Sequence, residues 1–271
     1  MDRDNNTTTN ERSTRTRRRT IAGWVFELAL VALFGGLTVW VVMASALPPE
    51  LRPLAKIYGP DRNSENSEEW IIRDFFKDRR DGVFVDVGAN HYRFHSNTYY
   101  LEIVLGWSGI AVEPLVGLEP DYRLHRPRTR FRPFFVSDVS NAQATMYLLG
   151  GNSLVTSSDK SFTERHGIRA EELTVPTITL TDLLDAEKVP RVDFLNMDIE
   201  LSEPKALAGF DVQRFKPQLV CIEAHPEVRQ QILDYFAQRD YVLVGRYLRA
   251  DEHNLYFTPV TSSGQLTVGA K

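Results

Sequence analysis

The residues in this chain best suited to chemistry are acids that follow short apolar runs. Asp86, Glu113, Asp138, Asp198 and Glu223 each stand at the end of such a run. Strands buried on both faces read as continuous apolar stretches, and ligands of open α/β sheets bind beyond the carboxyl ends of the strands. The first unit opens with the turn Asp81-Gly82, continues through Val83 to Val87, and breaks at Gly88-Ala89-Asn90. Gly88 lets a ligand approach the backbone closely, and Asn90 tolerates a positive φ. Ser96 or Asn97 caps a helix expected from Thr98 to Leu105, which Gly106 ends. The free amides at its start suit an anionic or polar ligand end. A strand from Gly109 to Val112 then delivers Glu113, roughly 20 residues past the glycine turn, where an acid that grips ribose hydroxyls is expected. No G-x-G-x-x-G is present, so Asp86 and Glu113 suit an adenosyl ligand without a pyrophosphate. The plain alternative is a βαβ unit that binds nothing.

Elements to hold these acids follow in order. Ser67 caps a helix to about Lys77, with Ile71, Ile72, Phe75 and Phe76 as its apolar stripe. This helix is read as packing on the sheet without a catalytic role. A helical segment runs from Leu118 to His125, and a strand from Phe131 to Val136 leads to Asp138. Ala144 to Leu149 is a further strand. The polar stretch Gly150 to Glu172 is expected to be a lid-like loop. After the strand Thr174 to Ile178, Thr181 caps a helix to Glu187. Val192 to Met197 precedes Asp198-Ile199-Glu200, and Lys205 to Ala208 is a short helix. Gln218 to Ile222 precedes Glu223-Ala224-His225. A helix from Glu227 to Arg239 and strands Tyr241 to Tyr247 and Asn254 to Phe257 complete the series. Alternating strands and helices predict an open, mostly parallel sheet.

Against this background VDVGAN, SNTYYLE and GWSGIAVEP resemble the FkbM family of S-adenosylmethionine-dependent methyltransferases. SEEWIIRDFF, FVSD, SLVTSS, VDFLNMDIE and EPKALAGFD extend the resemblance over about residues 67 to 258. It implies a class I (Rossmann-like) α/β fold. That fold has a mostly parallel seven-stranded sheet, helices on both faces and an antiparallel last strand. It also implies S-adenosyl-L-methionine as cofactor and methyl transfer to an oxygen, often on a sugar or natural product. Asp86, Gly88 and Asn90 match the cofactor motif, Glu113 the ribose acid, and Asp138 the residue near the adenine. Asp198 and Glu200 match the acidic pair after the fourth strand. Two positions depart from the family pattern: Leu201 and Tyr92 stand where glycine is common. Leu201 puts the acceptor side in question, and Tyr92 is expected to narrow the methionine end of the pocket.

A hydroxyl acceptor needs a base, and Asp198, Glu200 and His225 are the candidates, on neighbouring strands of the ligand edge. Imidazole suits that task near neutral pH. Asp198 either orients the acceptor or joins Glu200 in holding a divalent metal; the need for a metal stays open. Two other readings compete. One is a membrane-anchored glycosyltransferase using Asp198-Ile199-Glu200, a metal and a nucleotide sugar. The other is an inactive adaptor on the same fold.

Composition sets the remaining bounds. The 271 residues carry a formal net charge of −4. With no basic stripe, the chain is not expected to bind nucleic acid. Cys221 is the single cysteine, which excludes an internal disulfide and a cysteine-based zinc site. Residues 1–20 read as a disordered basic tail and 21–47 as a transmembrane helix, since Leu28 to Leu47 contains no charge. Ala44-Ser45-Ala46 resembles a signal-peptidase site, but the apolar run is longer than the ~7–15 residues of a signal peptide. Residues 48–66 are expected to be a linker, 67–260 the methyltransferase domain and 261–271 a flexible tail. Five arginines before the span, against Arg52 and Lys56 after it, put the tail in the cytoplasm and the domain outside. Cytosolic supply of S-adenosylmethionine argues the other way. The acceptor is expected to be a glycan or small molecule, and the membrane contact a single span.

Overall fold

A computed structural model describes residues 47–149, 152–157 and 170–260. The chain from Pro48 onward forms one compact unit. Its centre is a seven-stranded sheet of β1 (Val83–Val87), β2 (Ser108–Val112), β3 (Thr129–Arg132), β8 (Phe194–Met197), β9 (Leu219–Glu223), β10 (Tyr241–Leu243) and β11 (Asn254–Pro259). The spatial order is β10-β11-β9-β8-β1-β2-β3. β1, β2, β3, β8 and β9 are mutually parallel where they pair, and β11 runs antiparallel to β9 and β10. This is the class I methyltransferase-like topology, with the antiparallel last strand that the resemblance implied.

Alternation along the strands divides the core. Val85, Val87, Leu195, Met197, Val220 and Ile222 pack with α5 (Leu180–Ala186), α6 (Glu203–Ala208), α7 (Val212–Phe215) and α8 (Arg229–Ala237). The other face meets α2 (Glu68–Phe76), where the Phe76 and Phe194 rings lie 6.3 Å apart. It also meets α4 (Glu119–His125), where Tyr122 clusters with Ala111 and Phe131. A short α3 (Tyr99–Ile103) links β1 to β2.

Several expectations need correction. Residues 48–66 are not an open linker. They carry α1 (Arg52–Tyr58), which buries Leu54 and Ala55, and Pro53 sits in its first turn, where its missing N–H costs nothing. The polar stretch after α1 ties back to α2, because Glu69 accepts from Asn63 N and Glu68 from Asn66 N, both at 2.8 Å. Ser67 does stand at the N-cap, yet its hydroxyl donates to Ala250 O at 2.8 Å rather than to α2.

The run Phe131 to Val136 is two strands, not one. β3 pairs with β2, whereas β4 (Phe135–Val136) pairs with β7 (Ala170–Ile178) at the edge of a separate four-stranded sheet. Pro133, which cannot donate to a ladder, marks the break. β5 (Gln143–Leu149) and β6 (Asn152–Ser157) complete that sheet, so within the expected loop 150–172 residues 152–157 and 170–172 are strand, while 150–151 and 158–169 lie outside the described residues. Thr179, not Thr181, caps α5 by accepting from Asp182 N, and Thr181 Oγ1 accepts from Asp211 N at 2.9 Å. Past β10 the chain turns into a short 3₁₀ segment, Gly245–Tyr247.

Among the described residues no helix is long and apolar enough to cross a membrane. The expected tail 1–20, the expected span apart from Leu47, and the tail 261–271 lie outside the described residues.

Candidate functional site

Strand register builds the site. Val87 is level with Val112 and Met197, and Met197 with Ile222. The next residue on each strand is therefore Gly88, Glu113, Asp198 and Glu223, in one row along the carboxyl edge. Gly88 has φ 80, and a Cβ there would lie 1.8 Å from the Asp198 carbonyl oxygen. Only glycine lets the turn after β1 press this close to the turn after β8. Asn90 follows with φ 46, as its residue type allows. A cavity of about 300 Å³ opens at this edge, lined by Asp86, Asn97, Glu113, Asp198, Glu200 and Glu223 among others.

One wall is a fixed chain of hydrogen bonds. Asp86 is buried, and its carboxylate accepts from the Thr98 hydroxyl at 2.7 Å and from Asn196 Nδ2 at 2.8 Å. Burial pushes its pKa up, while Thr98, Asn196 and the Arg126 charge favour the ionised form. An ionised Asp86 only accepts, which orients the Asn196 amide, whose Oδ1 in turn accepts from Asn97 Nδ2 at 3.0 Å. Asn97 Oδ1 is left buried without a partner at the cavity. Glu113, also buried, accepts Asn90 N through Oε2 at 3.2 Å and Leu115 N through Oε1 at 3.1 Å. Each oxygen keeps a second lone pair for a ligand. Burial raises the Glu113 pKa, and those two backbone amides lower it.

The opposite wall is acidic. His225 Nε2 lies 3.1 Å from both Glu200 Oε2 and Glu223 Oε1. The Asp198 side chain is open to solvent through the cavity, but protein surrounds it closely. That enclosure, then the carboxylates of Glu223 and Glu200, push its pKa well above the ordinary range. Burial and the Glu200 charge likewise push Glu223 up. Glu200 and Leu201 have φ 52 and 75. Leu201 thus occupies the left-handed region in which glycine is free and other residues lose roughly 1–2 kcal/mol.

Asp138 stands apart from this assembly. It is exposed, accepts from the Ser137 hydroxyl, and does not line the cavity, because the break at Pro133 carried its strand into the other sheet. Tyr92 does not narrow the pocket either. Its ring stacks between His91 and His125, at 4.5 and 4.4 Å. Sequence reasoning missed Asn97 and Glu203 and left Glu223 without a role.

Glu203 is fully buried at the start of α6, accepts Ile199 N at 3.0 Å, and is pushed by burial up to about 7. A carboxyl raised in this way holds its proton in the native state after the unfolded chain has released its own. Its stabilising contribution is complete below the ordinary carboxylate range and is lost as pH rises through about 7. The loss is on the order of 3 kcal/mol. Glu203→Gln keeps the acceptor for Ile199 N. It is expected to flatten the fall in urea midpoint between about pH 5 and about pH 8 in chelator-treated protein. An unchanged slope would contradict this assignment.

Residues 86–243 match the profile of the methyltransferase FkbM domain. The chain belongs to the FkbM methyltransferase family. No curated protein matches it significantly. Solved structures similar to it include a TehB-like SAM-dependent methyltransferase from Corynebacterium glutamicum, at 12% identity over 76% of this chain and 92% of that one, TM-score 0.43. Another is the precorrin-6y C5,15-methyltransferase of Geobacter metallireducens, at 9% identity over 68% and 76%, TM-score 0.38. A third is a Burkholderia thailandensis 1,6-didemethyltoxoflavin-N1-methyltransferase with bound 1,6-didemethyltoxoflavin and S-adenosylhomocysteine, at 13% identity over 86% and 88%, TM-score 0.34. The FkbM match contains Asp86, Gly88, Asn90, Glu113, Asp198, Glu200, Glu223 and His225.

Proposed function

We propose that this FkbM methyltransferase uses S-adenosyl-L-methionine to methylate a hydroxyl of a sugar, glycan or related small molecule. We further propose that residues 21–47 hold it at a membrane as a single span. The observation that carries the cofactor reading is Glu113, a buried carboxylate pinned by two backbone amides with a lone pair of each oxygen left over at the cavity. Vicinal ribose hydroxyls are two donors that such an acid accepts. Asn97 Oδ1, an acceptor without a partner in the same cavity, suits the ammonium of a methionine moiety. The cavity, about 300 Å³, lies at the lower end of the ~300–1,000 Å³ range of ligand pockets. The anchor rests on the charge-free run Leu28 to Leu47.

When bound, S-adenosylmethionine supplies an electrophilic methyl group on a sulfonium. The chain itself supplies position and a base. Gly88 and Asn90 shape the turn against which the ligand lies, and Asp86 holds Asn196 and Asn97 in their orientations. Asp198 is the group that takes the hydroxyl proton. Its raised pKa makes it a stronger base than an ordinary carboxylate, and a positioned base contributes roughly 10²–10⁴-fold. His225 and Glu200 bind one another beside it, so neither is as available for that proton. The test is a methyl-labelled S-adenosylmethionine feed to cells producing the wild-type chain or the Asp198→Asn variant. A methyl mass shift in a glycan or small hydroxylated molecule, present only with the wild type, supports the reading. Label confined to proteins or nucleic acid in both strains refutes it.

A further inference from the structure

We infer that Glu200, Glu223 and His225 form a site for a divalent cation of the Mg²⁺ or Mn²⁺ class on the acid wall of the cavity. One ligand atom from each residue lies within 4.8 Å of the other two. A single ring nitrogen carries one proton or one lone pair and serves one good hydrogen bond, yet His225 Nε2 meets two carboxylate oxygens at the same 3.1 Å. Neighbouring ligands around an octahedral ion with ~2.1 Å bonds are roughly 3 Å apart, so these spacings suit the edges of a coordination face. The donors are oxygen and imidazole nitrogen without thiolate, a set suited to hard or borderline cations.

A second observation points to a missing positive ligand. Glu223 turns Oε1 toward His225 Nε2, but its Oε2 is buried at the cavity without a hydrogen-bond partner. Glu200 and Glu223 therefore converge on one imidazole. A dication there offsets their mutual repulsion and fixes the two strand-end turns that carry them. Its open positions face the cavity, where Lewis-acid polarisation of an acceptor hydroxyl adds to the work of Asp198. That role rests on the proposed O-methyl transfer, whereas the binding itself does not.

The experiment takes the full-length chain, stripped with chelator and titrated with Mn²⁺, and follows free Mn²⁺ by electron paramagnetic resonance. One saturable Mn²⁺ per chain is expected, weakened about tenfold or more in Glu223→Gln and in His225→Gln. S-adenosylhomocysteine calorimetry on the same preparations shows whether each variant is folded and whether the cofactor reading stands. If His225→Gln fails to bind it, Glu200→Gln takes its place. Normal S-adenosylhomocysteine binding without saturable Mn²⁺ binding overturns the metal site and leaves the cofactor reading intact. Mn²⁺ affinity unchanged in the folded variants overturns the site as well. Saturable Mn²⁺ binding without S-adenosylhomocysteine binding supports the metal site while sinking the cofactor reading.

Discussion

Asp198→Asn is expected to lower turnover by roughly a hundredfold or more while S-adenosylhomocysteine binds the variant about as tightly as the wild type. The substitution preserves shape and removes the ability to take a proton. Asp198 stands in register with Gly88, Glu113 and Glu223, and its N–H donates to Val87 O at 3.0 Å, so the backbone of the row is unaffected. The variant also loses a carboxylate that its enclosure, Glu223 and Glu200 hold above its ordinary range, so its stability should match or exceed that of the wild type. This separates catalysis from folding. For the wild type, turnover should climb with pH as Asp198 ionises, and the variant should lose that limb. Wild-type turnover in a stable Asp198→Asn protein would move the acceptor site elsewhere, toward the stretch 150–172.

Glu113→Ala is expected to weaken S-adenosylmethionine binding by about tenfold or more with the fold preserved. Hydrogen bonds to a charged acceptor contribute roughly 1.5–3 kcal/mol each, and ~1.4 kcal/mol is a factor of ten. The substitution also frees Asn90 N and Leu115 N, but both stand beside a cavity that water reaches. Glu113→Gln keeps one accepting oxygen and should fall between the two. Unchanged affinity in a folded Glu113→Ala protein would remove Glu113 from the cofactor site.

The strand-end row was legible because buried parallel strands advertise themselves. Val83 to Val87 was delimited by Gly82 and Gly88, and Glu113 followed from the same unit. What stayed hidden depends on packing between distant segments. The orphan at Asn97 arises only after Asp86 orients Asn196, a residue 110 positions away. Glu203 acquires its chemistry from complete burial, which a charged residue in a short amphipathic helix does not announce. The left-handed turn at Glu200 and Leu201, which carries Glu200 toward His225, has no glycine to signal it. Other errors had readable causes. Pro133 marked the break that displaced Asp138, and Leu51, Leu54 and Ala55 at helical spacing foretold α1 in a stretch dominated by prolines.

The most direct measurement of the central claim is calorimetric titration of S-adenosylhomocysteine into the purified full-length chain. One saturable site per chain, weakened in Glu113→Ala and retained in Asp198→Asn, is the predicted result. A folded wild-type chain that binds neither S-adenosylhomocysteine nor S-adenosylmethionine would contradict it.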